Sequence, residues 1–204
     1  MKENPIEQRE LPATIVELKK LLSQLNAKST VDDIKTTFSK IANILLFKSF
    51  IKTDNGDYRL LEIEFYFRNN QHDDDVTITR KEKAGMWWLH DWGVDLSFES
   101  NGRDFCGGVL IRSIFSINEE KVICGPKNCC WELFYSSALE RNSAPQILGK
   151  DAGDFFGEIG TIKRYITGKN KGIDNEYRFY VKGLNLVFES KYIASPWKEE
   201  DIAR

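Results

Sequence analysis

The chain has 204 residues, of which 41% are hydrophobic and 29% are charged. This balance is typical of a globular protein, and the length suits one domain of ordinary size with a substantial core. The 29 Lys and Arg residues nearly cancel the 31 Asp and Glu residues, which leaves a net charge of −2 and a pI near 5.8. Such a charge argues against a general polyanion-binding protein, but it allows a local basic rim.

The cysteines, histidines and apolar runs exclude further classes of protein. No Cys-x-x-Cys pair occurs among the four cysteines, and only His72 and His90 could complete a zinc site. We therefore expect no metal. The sequence has no charged and then apolar leader, and no apolar run approaches the ~20 residues of a membrane span. Free thiols in such a chain predict a cytoplasmic protein that does not enter a membrane.

The first part of the chain has helical periodicity. A helix over residues 11–25 is predicted by the spacing of one apolar stripe, namely Leu11, Ile15, Leu18, Leu22 and Leu25. The segment NAKST then interrupts the pattern, and Asp32 or Asp33 could cap a second helix. Asn55 and Gly56 form the strongest short turn signal in the chain.

The segment RLLEIEFYF at residues 59–67 alternates as a strand does. In an extended chain one face carries Leu61, Ile63, Phe65 and Phe67, and the other carries Leu60, Glu62, Glu64 and Tyr66. Two glutamates and a tyrosine on one face of so apolar a strand allow two interpretations. Either that face is exposed to water, or it lines a cleft in which a carboxylate acts. For Glu62 we favour a salt bridge.

The remaining segments alternate between strand and helix signals. They are an acidic loop at 69–77, an aromatic strand or hairpin at 85–98, a β-rich run with one arginine at 107–117, a helix entered through Gly-Pro at 125–139 with Pro126 in its first turn, and a strand pair around Gly183 at 178–190. Helices followed by a largely antiparallel sheet predict an α+β fold in a single domain.

Several of these segments, in order, resemble the alkyladenine (3-methyladenine) DNA glycosylase family, which excises alkylated bases from DNA. IANILLFKSFI resembles the family's helix before its first strands, and WWLHDWGVD lies where the family has an aromatic hairpin ending in Tyr-Gly. RLLEIEFY resembles RIVETEAY, GGVLIRSI resembles GAVLLRAL, GPKNCCWEL resembles GPSKLCQAL, and RFYVKG resembles RFYVRG. The resemblance runs from about residue 38 to residue 185.

The resemblance implies a fold and an activity. The fold is one α+β domain over residues 1–204, with an N-terminal helical extension at 1–30 and a glycosylase-like core at 31–190. Its sheet is curved and mostly antiparallel, with flanking helices. The activity is that of a monofunctional DNA glycosylase, which flips an alkylated or deaminated purine out of the duplex and hydrolyses its N-glycosidic bond. The implied partner is double-stranded DNA with a damaged purine, and we expect a monomer without a cofactor.

The same resemblance assigns the catalytic residues. Glu64 falls on the family's catalytic glutamate, the general base that takes a proton from water. Arg112 falls on an arginine that helps to hold this water, and Val181 falls on a residue whose backbone carbonyl also touches it. Tyr66 falls on a tyrosine that stacks on the flipped base. No lysine falls at the inferred site, which argues against a Schiff-base lyase step.

Residues of the base slot and of the DNA contact are assigned in the same way. Trp92 falls on an aromatic wedge that enters the minor groove, and we group Gly93 and Lys127 with it as DNA-binding residues. Leu89 falls on the second stacking aromatic residue, and we assign Leu89 and His90 to substrate binding.

A family histidine follows the stacking tyrosine by about nine residues. An ungapped count lands on Asp75, with Thr77 and His72 as gapped alternatives, and we assign Thr77 to substrate binding. The family's asparagine after the wedge falls near Phe98 or Glu99.

These departures from the family pattern support two alternatives. A catalytically impaired protein on the same fold could bind a nucleoside or a damaged nucleic acid without cleaving it. Alternatively, the fold could serve a different hydrolysis or a protein interaction, with the helix at 11–25 packing on a partner. A rim of basic side chains around the Glu64 pocket would favour nucleic acid; the basic residues expected to form it are Lys81, Lys83, Arg103, Lys127, Lys163, Arg164, Lys169 and Lys171.

Overall fold

The computed structural model describes residues 12–135, 143–149, 157–164 and 176–182. Three helices and nine strands occur in these ranges: α1 Ala13–Gln24, α2 Val31–Phe47, β1 Ser49–Thr53, β2 Gly56–Asn69, β3 Trp87–His90, β4 Gly93–Ser97, β5 Phe105–Ser116, β6 Lys121–Cys124, α3 Pro126–Phe134, β7 Gln146–Gly149, β8 Ile159–Ile162 and β9 Arg178–Val181. The predicted α+β architecture is confirmed. The second half of the strand pair predicted around Gly183, and residues 136–139 of the predicted helix, lie outside the described residues.

The long strand β2 organises a curled sheet in which every described pair of strands is antiparallel. The main path of the sheet is β3-β4-β5-β2-β1-β7, with β6 beside β5, β9 beside β2 and β8 beside β9. The β1–β2 hairpin closes through Asp54 and Asn55, and Gly56 already pairs with Thr53. The turn signal at Asn55 and Gly56 therefore marked a real hairpin.

Helix α2 begins with a capping box rather than with a single acidic cap. The Asp33 amide donates to Thr30 Oγ1 at 3.2 Å, and the Thr30 amide donates to Asp33 Oδ2 at 2.9 Å. The cap is therefore Thr30, and Asp33 completes the box. The prediction that Asp32 or Asp33 would be the cap was wrong by two or three residues, because the last residue of NAKST supplies the hydroxyl.

Both N-terminal helices pack on the sheet and share one core. The Phe38 ring of α2 stacks on Phe65 of β2 with ring centroids 4.3 Å apart. Leu18 and Leu22 of α1 are buried in the same core, so the apolar stripe of this helix is covered by its own protein. The proposal that α1 packs on a partner therefore loses its basis. No described helix has the length and the apolar character needed to cross a membrane.

The alternation of β2 shifts by one residue where β2 meets β5. Leu60 pairs with Ile114 and Ile63 pairs with Ile111, but between them Glu62 pairs with Ser113. Leu61 on β2 and Arg112 on β5 are therefore extra residues without a direct partner, which is the pattern of a β-bulge. As a result Leu60, rather than Leu61, joins the core with Ile63. The predicted faces are correct from Glu62 onwards.

The β3–β4 hairpin and α3 meet at a close contact. Pro126 occupies the first turn of α3, as predicted, and lies against Gly93. The backbone φ of Gly93 is +149°, which side-chain-bearing residues rarely adopt, and a Cβ added there would lie 2.8 Å from Pro126 Cβ. This contact fixes the turn that carries Trp92 against the start of α3.

We expect Gly93→Ala to lower the free energy of unfolding by about 2–3 kcal/mol, because the new methyl group combines backbone strain with a clash. Gly85→Ala is the matched control, since Gly85 has a φ of +78° but no atom within 4 Å of an added Cβ. Its expected cost is about 1 kcal/mol. Urea denaturation measures both variants, and equal losses would contradict the proposed clash with Pro126.

Candidate functional site

A cleft of about 620 Å³ opens on the face of the sheet that carries the β2 glutamates. Six of the side chains that line it are Tyr66, Thr77, His90, Trp92, Arg112 and Lys127. They come from β2, the loop after it, the β3–β4 hairpin, β5 and α3. Segments that are far apart in the sequence therefore build one concave site.

Glu64 lies beneath this cleft and is fully buried. Arg112 Nη1 donates to Glu64 Oε2 at 2.6 Å, and the Tyr66 hydroxyl donates to Glu64 Oε1 at 2.5 Å. Both donors line the cleft, and the two oxygens of Glu64 accept one hydrogen bond from each. The structure thus brings together three residues that the resemblance had assigned to one site.

The bulge at Arg112 explains how one strand contacts both glutamates. Arg112 Nε donates to Glu62 Oε1 at 3.1 Å, and the neighbouring Ser113 hydroxyl donates to Glu62 Oε2 at 2.8 Å. In a regular strand two consecutive side chains would point to opposite faces. The extra residue turns both toward the carboxylates, and Arg178 of β9 adds a further hydrogen bond to Glu62 Oε1. The salt-bridge interpretation of Glu62 is confirmed.

Burial and charge fix the protonation of the two donors. Burial, followed by the charge and hydrogen bond of Glu64, raises the pKa of Tyr66 above its ordinary value, so the phenol keeps its proton. Burial alone would lower the pKa of Arg112, but the carboxylates of Glu64 and Glu62 outweigh it and raise this pKa. A cation therefore remains at the bottom of the cleft.

The ring of Tyr66 packs against a buried ion pair that the sequence did not predict. Arg164 donates to both carboxylate oxygens of Asp74 at 2.8 Å, and its guanidinium lies 4.7 Å from the centre of the Tyr66 ring. Both members of the pair are buried. Arg164 was expected on a basic rim, and that expectation was wrong because Asp74 and the aromatic ring draw it inside the protein.

A second wall of the cleft combines an ion pair with stacked rings. Arg80 Nη1 donates to Asp95 Oδ2 at 2.5 Å, and the Arg80 guanidinium lies 3.9 Å from the centre of the Trp88 ring. His90 stacks on Trp88 with ring centroids 4.7 Å apart, because residues two apart on a strand lie on the same face. The His90 ring lies 3.1 Å from Asp95 through Nε2 and accepts the Trp92 amide at Nδ1. This wall is therefore linked to the Trp92 turn.

The mouth of the cleft has one exposed lysine beside an exposed indole. Trp92 is 66% exposed, and Lys127 Nζ lies 5.6 Å from its ring centre. Of the basic residues expected to form a rim, Lys127 and no other lines the cleft in the part of the chain that the structure describes. Lys83 pairs with Glu99 instead, and Lys169 and Lys171 lie outside the described residues. Among the described residues, Lys127 is therefore the one member of the expected rim that lies at the cleft.

Two residues assigned to the site lie away from it. The register of β9 sets Arg178 opposite Glu64, so Val181 lies three residues, about 10 Å, further along the strand. This register sets the Val181 backbone away from the Glu64 carboxylate. Leu89 does not line the cleft and is 40% exposed, because the alternation of β3 turns it away from His90. Leu89 therefore lies outside the cleft to which the resemblance assigned it.

The three alternatives for the family histidine have different environments. Asp75 and Thr77 line the cleft, and the Thr77 hydroxyl donates to Asp74 at 2.9 Å. His72 is buried, with Nδ1 2.8 Å from the Phe67 carbonyl and Nε2 2.8 Å from the Tyr177 hydroxyl. A neutral ring that donates from Nδ1 and accepts at Nε2 satisfies both contacts. His72 thus holds the loop to the core and does not face the cleft.

Arg178 is a residue of this site that the sequence could have predicted. Arg178, like Arg112, is a lone arginine in an apolar strand, and such a residue needs a buried carboxylate partner. That signal was available from the sequence.

Within the described ranges no group of three or more His, Cys, Asp or Glu side chains could hold a metal ion.

We expect Arg112→Lys to lower the free energy of unfolding by about 2–4 kcal/mol, because one ammonium group cannot bridge both carboxylates as the planar guanidinium does. Arg68→Lys, on the same sheet, is the control. Arg68 is half-buried and donates to the neutral Thr79 hydroxyl, so we expect a change within about 0.5 kcal/mol. Similar urea midpoints for the two variants would refute the bridging role of Arg112.

We expect the protein to lose stability as the pH falls below 6.5, in part through His72. Burial lowers the pKa of His72 below its ordinary value of 6.5, so the unfolded chain binds this proton before the folded protein does. In His72→Gln an amide can make both hydrogen bonds without titrating. Urea denaturation between about pH 8 and about pH 5.5 should give a shallower decline for this variant. Equal slopes would contradict the assignment.

The cleft therefore has a carboxylate with two donors beneath it, two walls held by buried ion pairs, and an aromatic mouth. No protein-family model matches the chain, and no curated protein sequence matches it. What the protein does has to be inferred from the chemistry of this cleft.

Proposed function

We propose that the protein is a monofunctional DNA glycosylase that hydrolyses the N-glycosidic bond of alkylated or deaminated purines. The observation that carries this proposal is the Glu64 carboxylate, buried beneath a cleft and bonded to Arg112 and Tyr66. Such a bond breaks through an oxocarbenium-like sugar, and it needs a carboxylate that can accept a proton from the attacking water. A substrate base reaches this carboxylate only after it leaves the duplex.

The reaction uses the side chains as follows. A water next to Arg112 attacks the anomeric carbon, its proton passes to Glu64, and the bond to the base breaks with its electron pair going to the base nitrogen. Each Glu64 oxygen already accepts one hydrogen bond and has a second lone pair for this water. An alkylated purine that carries a positive charge leaves as a neutral base, so it needs no general acid. This chemistry favours alkylated purines.

The walls and the mouth support a base-binding role. Tyr66 and His90 line the cleft and offer ring surface to it, and aromatic rings hold unstacked bases. Trp92 is an exposed indole at a hairpin turn, where an inserted side chain could fill the gap left by the flipped nucleotide. Lys127, beside it, offers a cation to a phosphate.

A specific observation favours a second candidate, a protein that binds a nucleoside or damaged nucleic acid without cleaving it. Glu64 has no exposed surface, so an incoming water reaches the remaining lone pairs of its carboxylate only by displacing the side chains that cover it, Arg112 and Tyr66. The outward position of Leu89 also leaves the base slot without a second flat wall at that point. The burial of Glu64 weakens catalysis more than binding, whereas the missing wall weakens the stacking of a base.

We expect the wild-type protein to release base from duplexes that contain hypoxanthine, ethenoadenine or 3-methyladenine, and Glu64→Gln to be slower by a factor of about 10²–10⁴. The amide keeps the size of the side chain but cannot take the proton from water. Base release is measured by chromatography on each duplex under single-turnover conditions.

Glu119→Gln is the matched control, since Glu119 lies exposed in the turn after β5. We expect this variant to keep full activity. Retained activity in Glu64→Gln would contradict the proposed mechanism. Binding of damaged DNA that weakens steeply with salt, without any base release by the wild type, would favour the second candidate.

A further inference from the structure

Exposed aromatic side chains are concentrated in one place. In the described part of the chain the three exposed aromatic residues are Trp92 at 66%, Trp131 at 61% and Tyr135 at 45%. Trp92 is at the mouth of the cleft, and the other two lie at the C-terminal half of α3. We call Trp92, Lys127, Trp131 and Tyr135 the aromatic stripe.

Helix geometry makes the stripe continuous. Lys127, Trp131 and Tyr135 are spaced four residues apart and therefore follow one side of α3 over about 12 Å. The Trp131 and Tyr135 rings stack with centroids 5.5 Å apart at an interplanar angle of 24°. At the other end Lys127 lies over Trp92, and both residues line the cleft. The stripe thus leads from the mouth of the cleft along the outer surface of the helix.

The chemistry of the stripe suits nucleotides. Its rings are flat and exposed, and its one charge is positive, which is the combination that stacks bases and attracts the phosphates between them. The acidic side chain of α3 points elsewhere, because Glu132 accepts the Tyr58 hydroxyl at 2.8 Å.

We propose that the aromatic stripe binds an unpaired segment of about two nucleotides, continuous with the strand whose base enters the cleft. This inference rests on the proposed function for its occupant, and it adds a preference for damaged bases next to single-stranded regions. Trp92 holds the junction at the mouth, Lys127 contacts a phosphate, and Trp131 and Tyr135 stack on the following bases.

Fluorescence anisotropy with a labelled single-stranded oligonucleotide tests the stripe directly. We expect Trp131→Ala to weaken binding by at least about fivefold, and Trp131→Phe to stay near the wild-type affinity because it keeps a ring. Val16→Ala is the matched control, since Val16 is an exposed apolar residue of α1, away from the stripe, and we expect it to change nothing. Wild-type affinity in Trp131→Ala would overturn the proposal.

The outcomes separate this inference from the proposed function. Base release by the wild type together with unchanged oligonucleotide binding in Trp131→Ala would overturn the stripe and leave the glycosylase intact. Loss of oligonucleotide binding in this variant, without base release by the wild type, would support the stripe and remove the glycosylase. Sedimentation adds one more outcome, because a wild-type dimer that Trp131→Ala dissociates would show that a second copy covers the stripe.

Discussion

Two neighbouring glutamates buried on one strand would prevent folding unless cations lay beside them, and this constraint governs the centre of the sheet. An uncompensated charge in a protein interior costs several kcal/mol, far more than one strand pairing contributes. Arg112 and Arg178 supply the positive charges from the strands on either side of β2. Arg112 therefore joins β5 to β2 through both glutamates and orients the Glu64 carboxylate, while Arg178 joins β9 to β2 through Glu62.

The two walls of the cleft follow one plan. In each, an aspartate holds a guanidinium, and the guanidinium lies against an aromatic ring: Asp74 with Arg164 and Tyr66, and Asp95 with Arg80 and Trp88. A charge over a ring is stabilised by the ring's electron density, more so where water is excluded. Side chains held in this way do not need a ligand to order them, so the cleft keeps its shape before anything enters.

The sequence predicted those elements that depend on local pattern. Helical periodicity predicted α1, alternation predicted the faces of β2 from Glu62 onwards, and Pro126 marked the start of α3. Contacts that join distant segments were predicted only where a resemblance supplied them, as for Glu64 with Arg112. The pair of Asp74 and Arg164, 90 residues apart, left no periodic signal.

The position of Val181 was missed for the same reason that the bulge was missed. Both depend on how two strands align, which neither strand encodes alone. An arginine within an apolar run nevertheless indicates a buried carboxylate partner. This pattern predicts ion pairs for Arg178 as well as for Arg112. The unpaired residues Leu61 and Arg112 stand on opposing strands, so the two irregularities cancel and the pairing from Ile63 to Asn69 keeps the alignment that it has from Tyr58 to Leu60. Removing one of them without the other would slide the strands by one position and turn the core side chains outward. The fold therefore needs both extra residues or neither.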